Sequence, residues 1–315
     1  MHAELTHTFH AMASSVNLRV TNPGPDASGA VDRAISVINE VASTCTRFDS
    51  SSALMQANEA PSAWHTLPTL CSKAIRAAFD AYIKTDGRFD PRVLSSLRAI
   101  GYTNSRDFSE TPVFGSSQRE TVPLQRELWQ PSFDGDRVNL GGHPIDLGGI
   151  GKGLAVRWAA AELQHAGSGY LVDAGGDIAF AGLASAGTPW RIGIENPWDP
   201  TGAPVVVLET ADGAVATSSI RIRSWTHEGR TQHHIIDPST GLPGGEGLVS
   251  VSVMSDDTAD AEVWSKTLFL AGANDIRDFA LERKLAAIWV TTDGQVAMTP
   301  KAAVRAIWQV SHAAH

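Results

Sequence analysis

The chain has 315 residues, of which 43% are hydrophobic and 19% are charged, so it can bury the core of a large globular protein. A formal net charge of −9, without a cluster of basic residues, argues against a nucleic-acid partner, whose phosphates need Lys and Arg. No apolar run is long enough to cross a bilayer, so no membrane span is predicted. Cys45 and Cys71 are too few for a disulfide framework and lack the CxxC spacing of a zinc or redox site.

The N-terminal residues decide the expected compartment. Residues 1–20 lack the basic start and apolar stretch of a secretion signal. The sequence as written therefore predicts a cytoplasmic protein, and a periplasmic one if an export signal has been removed.

Apolar periodicity predicts the first elements of the chain. Alternation over 16–20 predicts a strand, and helical spacing over 31–42 predicts a helix whose start is capped by Asp26 or Ser28. A second helix is predicted over Thr69–Lys84, before the turn residues of TDGRFDP.

The rest of the chain alternates between strands and helices. Residues 109–135 mix Ser, Pro, Gln and Glu without a period, which predicts a surface loop or small insertion. Helices are predicted around Leu154 to Ala161 and over 259–271. Strands are predicted in YLVDAGGDIAF, which also contains a turn, and at VVVLE, AVATSS, RIRSW, HHIID, LVSVSVM, AAIWVTT and VRAIWQV. Turns separate these strands too closely for a strand–helix repeat, so we expect one α+β domain over 1–315 with a mixed α/β sheet.

A glycine-rich loop, IDLGGIGKG, precedes the predicted helix at Leu154. Its glycines let backbone N–H groups approach a phosphate, and a helix start favours negative charge. A Walker A loop is excluded because Asp146 and Gly153 occupy positions where that motif needs Gly and Ser or Thr. The alternative is a strand-to-helix turn that binds nothing.

Three further segments carry reactive groups. DAGGDI, at 173–178, pairs two carboxylates with two glycines, and a tight hairpin is the alternative explanation. In HHIIDPSTG an extended chain points His233 and His234 to opposite faces, so one of them can serve a site with Asp237 and Thr240. In ADAE the carboxylates of a helix start either complement its dipole or hold a cation such as Mg²⁺.

The order of these segments resembles that of the FAD:protein FMN transferase (ApbE) family over nearly the whole chain. The similar segments are AMAS at 11–14, FDSSSALMQAN at 48–58, TDGRFDP at 85–91, IDLGGIGKG at 145–153, DAGGDI at 173–178, ATSS at 216–219 and HIIDPSTGLP at 234–243. The resemblance implies an ApbE-like α+β fold that binds flavin in a cleft between two halves.

The resemblance also implies a role for individual residues. Met12 and Phe48 are expected to pack against the flavin or adenine rings, and Asp146 and Lys152 to line the pyrophosphate or ribityl part of FAD. The other residues expected to bind FAD are Arg88, Phe89, Asp90, Gly175, Gly176, Asp177, Ser218 and Thr240.

The chemistry implied by the resemblance is phosphoryl transfer. His234 and Asp237 are the expected acid/base residues, while Glu262 and the carbonyl of Gly149 are the expected Mg²⁺ ligands. A Thr or Ser hydroxyl of an acceptor protein, carrying the family's D…[ST]GA[ST] motif, attacks the FMN-side phosphorus of FAD and AMP leaves.

One helix departs from the family's pattern. The family's ADAxxT segment supplies Asp and Thr to the metal, whereas this chain has Glu262 and Lys266 at those positions. An ammonium there competes with a cation or pairs directly with phosphate. Two alternatives to the transferase therefore stay open: a non-catalytic FAD-binding protein, and a Mg²⁺-dependent FAD pyrophosphatase that releases FMN and AMP.

Overall fold

The computed structural model describes residues 3–103, 127–221 and 223–313. The helices in these ranges are α1 (Ala27–Thr44), α2 (Ala53–Glu59), α3 (Thr69–Lys84), α4 (Leu94–Ala99), α5 (Gly151–Leu163), α6 (Thr258–Phe269), α7 (Gly272–Glu282) and α8 (Pro300–Ala303). The strands are β1 (Glu4–Ala11), β2 (Ser14–Thr21), β3 (Trp64–Thr66), β4 (Ser132–Asp134), β5 (Arg137–Asn139), β6 (Gly169–Ala174), β7 (Asp177–Gly182), β8 (Trp190–Ile194), β9 (Val206–Thr210), β10 (Gly213–Ser219), β11 (Ser224–His227), β12 (Arg230–His233), β13 (Ile236–Asp237), β14 (Leu242–Pro243), β15 (Leu248–Ser255), β16 (Ala286–Thr291), β17 (Val296–Met298) and β18 (Ala306–Gln309).

A central antiparallel sheet carries strands from both ends of the chain, in the order β1-β2-β6-β7-β10-β15-β16-β17. The side chains of each strand point alternately into two apolar layers, because successive side chains lie on opposite faces of the sheet. In β6, for example, Val172 packs into the helical side, whereas Leu171 packs into the other side. The α+β class predicted from the sequence is confirmed.

Helices α1, α5 and α6 cover one face of the sheet, and a smaller sheet, in the order β18-β9-β8, covers the other. The packing of α5 on α6 is unusually close, since a Cβ at Gly153 would lie 2.7 Å from the Cα of Ala259. A glycine is therefore needed at this crossing. The contact places the N-terminus of α5 directly against the first turns of α6.

Several predicted elements have the expected bounds. Helix α3 begins and ends where predicted, and the predicted strands in the second half have counterparts in β6, β7, β9, β10, β15, β16 and β18. Asp26 occupies the N-cap position of α1, but its side chain pairs with Arg33 at 2.9 Å and makes no capping hydrogen bond.

The strand predicted over HHIID is wrong as one element. The structure has β12 ending at His233 and β13 beginning at Ile236. His234 and Ile235 lie in the break, and the backbone N–H of Ile235 contacts the ring Nδ1 of His233 at 3.3 Å. Of the predicted RIRSW strand, β11 contains Ser224 and Trp225, and residue 222 lies outside the described residues.

Residues 109–126 of the predicted surface loop lie outside the described residues. The remainder includes β4 and the buried Trp129, which donates a hydrogen bond to the carbonyl of Leu140 at 2.8 Å. Among the described helices, none has the length and apolarity needed to cross a bilayer.

Candidate functional site

A cleft opens between the glycine loop before α5 and the segment that runs from β11 to β14. It is lined by residues 47–48, 88–91, 93, 97, 102, 146, 148–149, 223, 234–236, 238, 266–267 and 270. The predicted site residues that line it are Phe48, Arg88, Phe89, Asp90, Asp146, Gly149 and His234. Residues far apart in the sequence thus meet at one concave surface.

A buried ion pair holds the glycine loop to the segment after α1. The Nε of Arg47 lies 2.9 Å from Oδ2 of Asp146, and both side chains are almost fully buried. The other oxygen, Oδ1, accepts a hydrogen bond from the N–H of Gly148 at 2.6 Å. Burial raises the pKa of the Asp146 carboxyl, and the charge of Arg47 acts in the opposite direction.

Arg47 also organises the aromatic wall of the cleft. Its guanidinium lies 4.2 Å from the ring centroid of Phe48 and 4.1 Å from that of Tyr102. One of its nitrogens donates to the carbonyl of Tyr102 at 2.6 Å. Phe48 itself is 41% exposed. Arg47 therefore contacts a flat apolar ring that remains accessible to solvent.

The TDGRFDP segment forms a tight turn after α3. Asp86 and Gly87 have φ values of 54° and 76°, which explains the glycine of this motif. The carboxylate of Asp90 is buried and pairs with Arg92 at 2.8 Å. The guanidinium of Arg88 lies 4.5 Å from the ring centroid of Phe279, at the edge of the cleft.

Lys152, in the first turn of α5, is paired with the hairpin between β6 and β7. Its Nζ lies 2.5 Å from Oδ2 of Asp177, whose side chain is buried. The other oxygen of Asp177, Oδ1, is buried without a hydrogen-bond partner among the described residues. Burial raises the pKa of Asp177, and the ammonium of Lys152 opposes that effect.

The two turns at this end of the sheet lie side by side. Met12, with φ 54°, is in the turn between β1 and β2, while Gly175 and Gly176 turn the chain between β6 and β7. A Cβ at Gly175 would lie 2.6 Å from Oγ of Ser14. The AMAS and DAGGDI segments are therefore neighbours, as a shared site requires, although Met12, Lys152 and both glycines lie outside the cleft lining.

The two residues predicted to bind metal both lie beside Lys266. In α6 the Oε1 of Glu262 accepts from Nζ of Lys266 at 3.0 Å, and its Oε2 accepts from the N–H of Gly153 at 2.7 Å. A Cβ at Gly149 would lie 3.5 Å from Cδ of Lys266. Within the described ranges, no group of three or more His, Cys, Asp and Glu side chains could hold a metal ion.

The two histidines of HHIID face different surroundings, although the extended strand from which this was predicted is interrupted after His233. His234 lines the cleft, and its Nδ1 is buried with no hydrogen-bond partner in the described part of the chain. Burial, followed by the charges of Arg223 and Lys266, holds the pKa of His234 well below its ordinary value. The ring of His233 packs instead on Phe269, and burial lowers its pKa to about 4.

The remaining predicted site residues support the walls. The carboxylate of Asp237 accepts from the N–H of Ser239 at 2.8 Å and from its hydroxyl at 2.7 Å, outside the cleft lining. The hydroxyl of Thr240 accepts from the N–H of Leu242 at 3.2 Å. The hydroxyl of Ser218 contacts that of Ser265 at 2.7 Å, which ties β10 to α6.

Two cations in the cleft were not predicted from the sequence. Arg47 and Arg223 both line it. Arg47 directly precedes the FDSSSALMQAN segment, and this position beside a motif could have identified it as a residue of the site. Arg223 had no comparable signal, because it lies in a predicted strand without a motif.

Comparison with known families and curated proteins gives a consistent result. The model of the ApbE family matches residues 12–289. The protein named FAD:protein FMN transferase of Escherichia coli K12 is 30% identical over 151 residues, which cover 48% of this chain and 43% of that protein. The one of Rhodobacter capsulatus is 30% identical over 247 residues, which cover 74% of this chain and 45% of that protein. The alignments thus span less than half the length of these relatives.

Solved structures share the fold. The apbe protein of Thermotoga maritima superposes with a TM-score of 0.78 at 24% identity, covering 97% of this chain and 99% of that chain. The flavin transferase ApbE of Vibrio cholerae superposes with a TM-score of 0.76 at 22% identity, covering 96% and 98%.

Proposed function

Because the chain belongs to the ApbE family, we propose that it is an FAD:protein FMN transferase. In this proposal it binds FAD in the cleft and transfers the FMN half to a Thr or Ser hydroxyl of an acceptor protein. Relatives named for this activity, such as those of Escherichia coli and Rhodobacter capsulatus, support it.

The observation that carries the proposal is the pairing of cations with an exposed aromatic wall. The lining includes Arg88, Arg223 and Lys266, while its carboxylates, Asp90 and Asp146, are each ion-paired with an arginine. A ligand with a flat ring system and a diphosphate, as FAD is, complements such a surface. Phe48 supplies an exposed ring for the ring system of FAD.

The proposed reaction is a substitution at phosphorus. The acceptor oxygen bonds to the phosphorus of the FMN half, the bond from that phosphorus to the bridging oxygen breaks, and AMP leaves with that oxygen. In the proposal the hydroxyl proton passes to the imidazole ring of His234, which lines the cleft. A neutral ring is needed for this step, and the low pKa keeps His234 neutral at neutral pH.

Three other predicted site residues have structural roles in this proposal. Asp237 stays a predicted acid/base residue. Because its carboxylate accepts two hydrogen bonds from Ser239, we propose that it stabilises the turn after His234. Lys152 and Asp177 place a charged pair beside the glycine loop. In the proposal they help to position that loop.

Mg²⁺, which the resemblance implies, has Gly149 and Glu262 as its predicted ligands. Both oxygens of Glu262 already accept hydrogen bonds, from Gly153 and Lys266. The side chain of Lys266 lies against Gly149. In this arrangement the residues present do not fit a divalent cation, so no step of the proposed reaction passes through one.

A labelling experiment tests the proposal. Purified protein is incubated with FAD and an acceptor domain that carries the D…[ST]GA[ST] motif, and the acceptor is examined for covalent flavin fluorescence after denaturation. Labelled acceptor and free AMP are expected, and the acceptor with its Thr or Ser changed to Ala is the matched control. Free FMN and AMP without labelled acceptor would instead identify a pyrophosphatase, and unchanged FAD would identify a binding protein.

A further inference from the structure

Lys266 stands between the two segments on which a metal site was predicted. Its methylene chain lies against the glycine loop at Gly149, and its ammonium is 3.0 Å from the carboxylate of Glu262. The side chain is 17% exposed, so it is confined between these segments while it lines the cleft. The methylene chain and the ammonium of Lys266 are therefore each held against one of these segments.

Two carboxylates lie near this ammonium, and among their oxygens only Oδ1 of Asp177 lacks a hydrogen-bond partner within the described residues. The carboxylates of Asp177 and Glu262 are each paired with one ammonium, those of Lys152 and Lys266. A divalent cation needs surplus negative charge and free oxygen ligands. Binding one at Glu262 would require displacing Lys266 from its partner.

The ammonium is also placed to meet an anion in the cleft. An ammonium has three N–H donors, and Glu262 accepts one of them. Lys266 shares the cleft with Arg223 and His234, and its charge reaches far enough to lower the pKa of His234. A diphosphate lying along Gly148 and Gly149 would come within reach of its remaining donors.

We propose that the ammonium of Lys266 binds the diphosphate of FAD in the place where relatives are expected to hold a divalent cation, so that this chain binds FAD without metal. In the transfer step the same charge stabilises AMP as it leaves. The binding part rests on the proposed binding of FAD in the cleft, and the transfer part rests on the proposed transferase activity.

The test measures FAD binding by titration of flavin fluorescence, in EDTA and in Mg²⁺. The unmodified chain should bind FAD with the same affinity in both, within about twofold. Lys266→Thr should weaken binding in EDTA about tenfold or more, the loss expected of a charged hydrogen bond, and Mg²⁺ should restore part of it. Lys266→Arg, which keeps the charge, should retain most of the affinity in EDTA.

Two controls separate a lost phosphate contact from a damaged fold. Lys84→Thr removes a lysine that also pairs with a carboxylate of α6, Asp260, but is 49% exposed and outside the cleft, and it should leave FAD binding unchanged. Riboflavin, which has no phosphate, should bind equally to the unmodified chain and to Lys266→Thr. Loss of riboflavin binding in that variant would mean that the cleft itself had changed. The inference would then be tested by comparing the FAD affinity of Lys266→Arg with that of Lys266→Gln in EDTA.

The outcomes distinguish this inference from the proposed function. If the unmodified chain binds FAD only when Mg²⁺ is present, or if both Lys266→Thr and Lys266→Gln bind it normally in EDTA, the inference is wrong whatever the acceptor shows. If FAD binds in EDTA through Lys266 and no acceptor is labelled, the inference stands and the proposed transferase activity fails.

Discussion

The carboxylate of Asp146 and the guanidinium of Arg47 meet at 2.9 Å inside the protein, where each neutralises the other. This pair joins the segment after α1 to the loop before α5, and both of its residues line the cleft. Burying one charge without the other is far more costly than burying the pair.

Arg47→Ala should therefore destabilise the fold strongly. We expect the free energy of unfolding to fall by about 3 kcal/mol or more, because Asp146 remains buried without its partner. Urea denaturation followed by tryptophan fluorescence measures the change. The matched control is Arg191→Ala, which breaks the exposed pair with Glu209. It should cost under about 1 kcal/mol. Equal losses in the two variants would mean that the Arg47 pair contributes no more than a surface pair.

The adjacent glycines of DAGGDI should respond differently to alanine. Gly176 has φ 91° with open space around its missing side chain, so Gly176→Ala should cost about 1 kcal/mol for backbone strain. Gly175 has φ 63° and faces Oγ of Ser14, so Gly175→Ala should cost at least about 2 kcal/mol. Thermal unfolding of both variants gives the comparison. In Ser14→Gly the difference should disappear, and its persistence would exclude the contact with Ser14 as its cause.

The elements that the sequence predicted well are those with a long, one-sided apolar pattern. Helix α3 had such a pattern, and its buried residues include Cys71, Ala74, Ile75 and Ala78. Strand β1 was missed because it is an edge strand with most of its residues exposed, which leaves little alternation to read. HHIID was predicted as one strand from its β-branched residues. The chain instead breaks at His234, whose ring lines the cleft, and local propensity contains no information about that contact.

The site could be predicted as a set of segments but not as a set of contacts. The order of the motifs predicted that the loop at Gly149 and the helix at Glu262 belong to the site, and the structure places them together. That Lys266 touches both depends on the close crossing of α5 and α6 at Gly153, a tertiary relationship. The pairing of Arg47 with Asp146 likewise joins segments that have no common pattern in the sequence.

His234→Ala should reduce acceptor labelling much more than FAD binding. A general base contributes about 10²–10⁴-fold to rate, and the ring of His234 lines the cleft. Initial rates of labelling and fluorescence titration of FAD measure the two effects separately. Equal losses in both would assign His234 to binding.

The matched control for this variant is Asp237→Asn. Its carboxylate bonds to Ser239 outside the cleft, so we expect a smaller loss of rate than in His234→Ala, together with a lower stability of the turn. A loss of rate as large as that of His234→Ala, with FAD binding intact, would restore Asp237 as an acid/base residue.

Acid should destabilise the protein through His233. Its pKa is about 4 in the folded chain against 6.5 as the ordinary value, so between these values the unfolded state binds the extra proton and stability falls as the pH falls. Each pH unit in that window is worth about 1.4 kcal/mol, and His233 is partly exposed, so we expect roughly 1–2 kcal/mol to be lost between pH 7 and pH 5.

The measurement is the difference in free energy of unfolding between the unmodified chain and His233→Gln, in which contributions from Asp146 and Asp177 cancel. That difference should shift in favour of His233→Gln on going from pH 7 to pH 5 and change little between pH 7 and pH 8, where His233 is mostly neutral in both the folded and the unfolded state. A difference that is the same at pH 5 and pH 7 would mean that His233 is solvated well enough to be protonated in the folded protein.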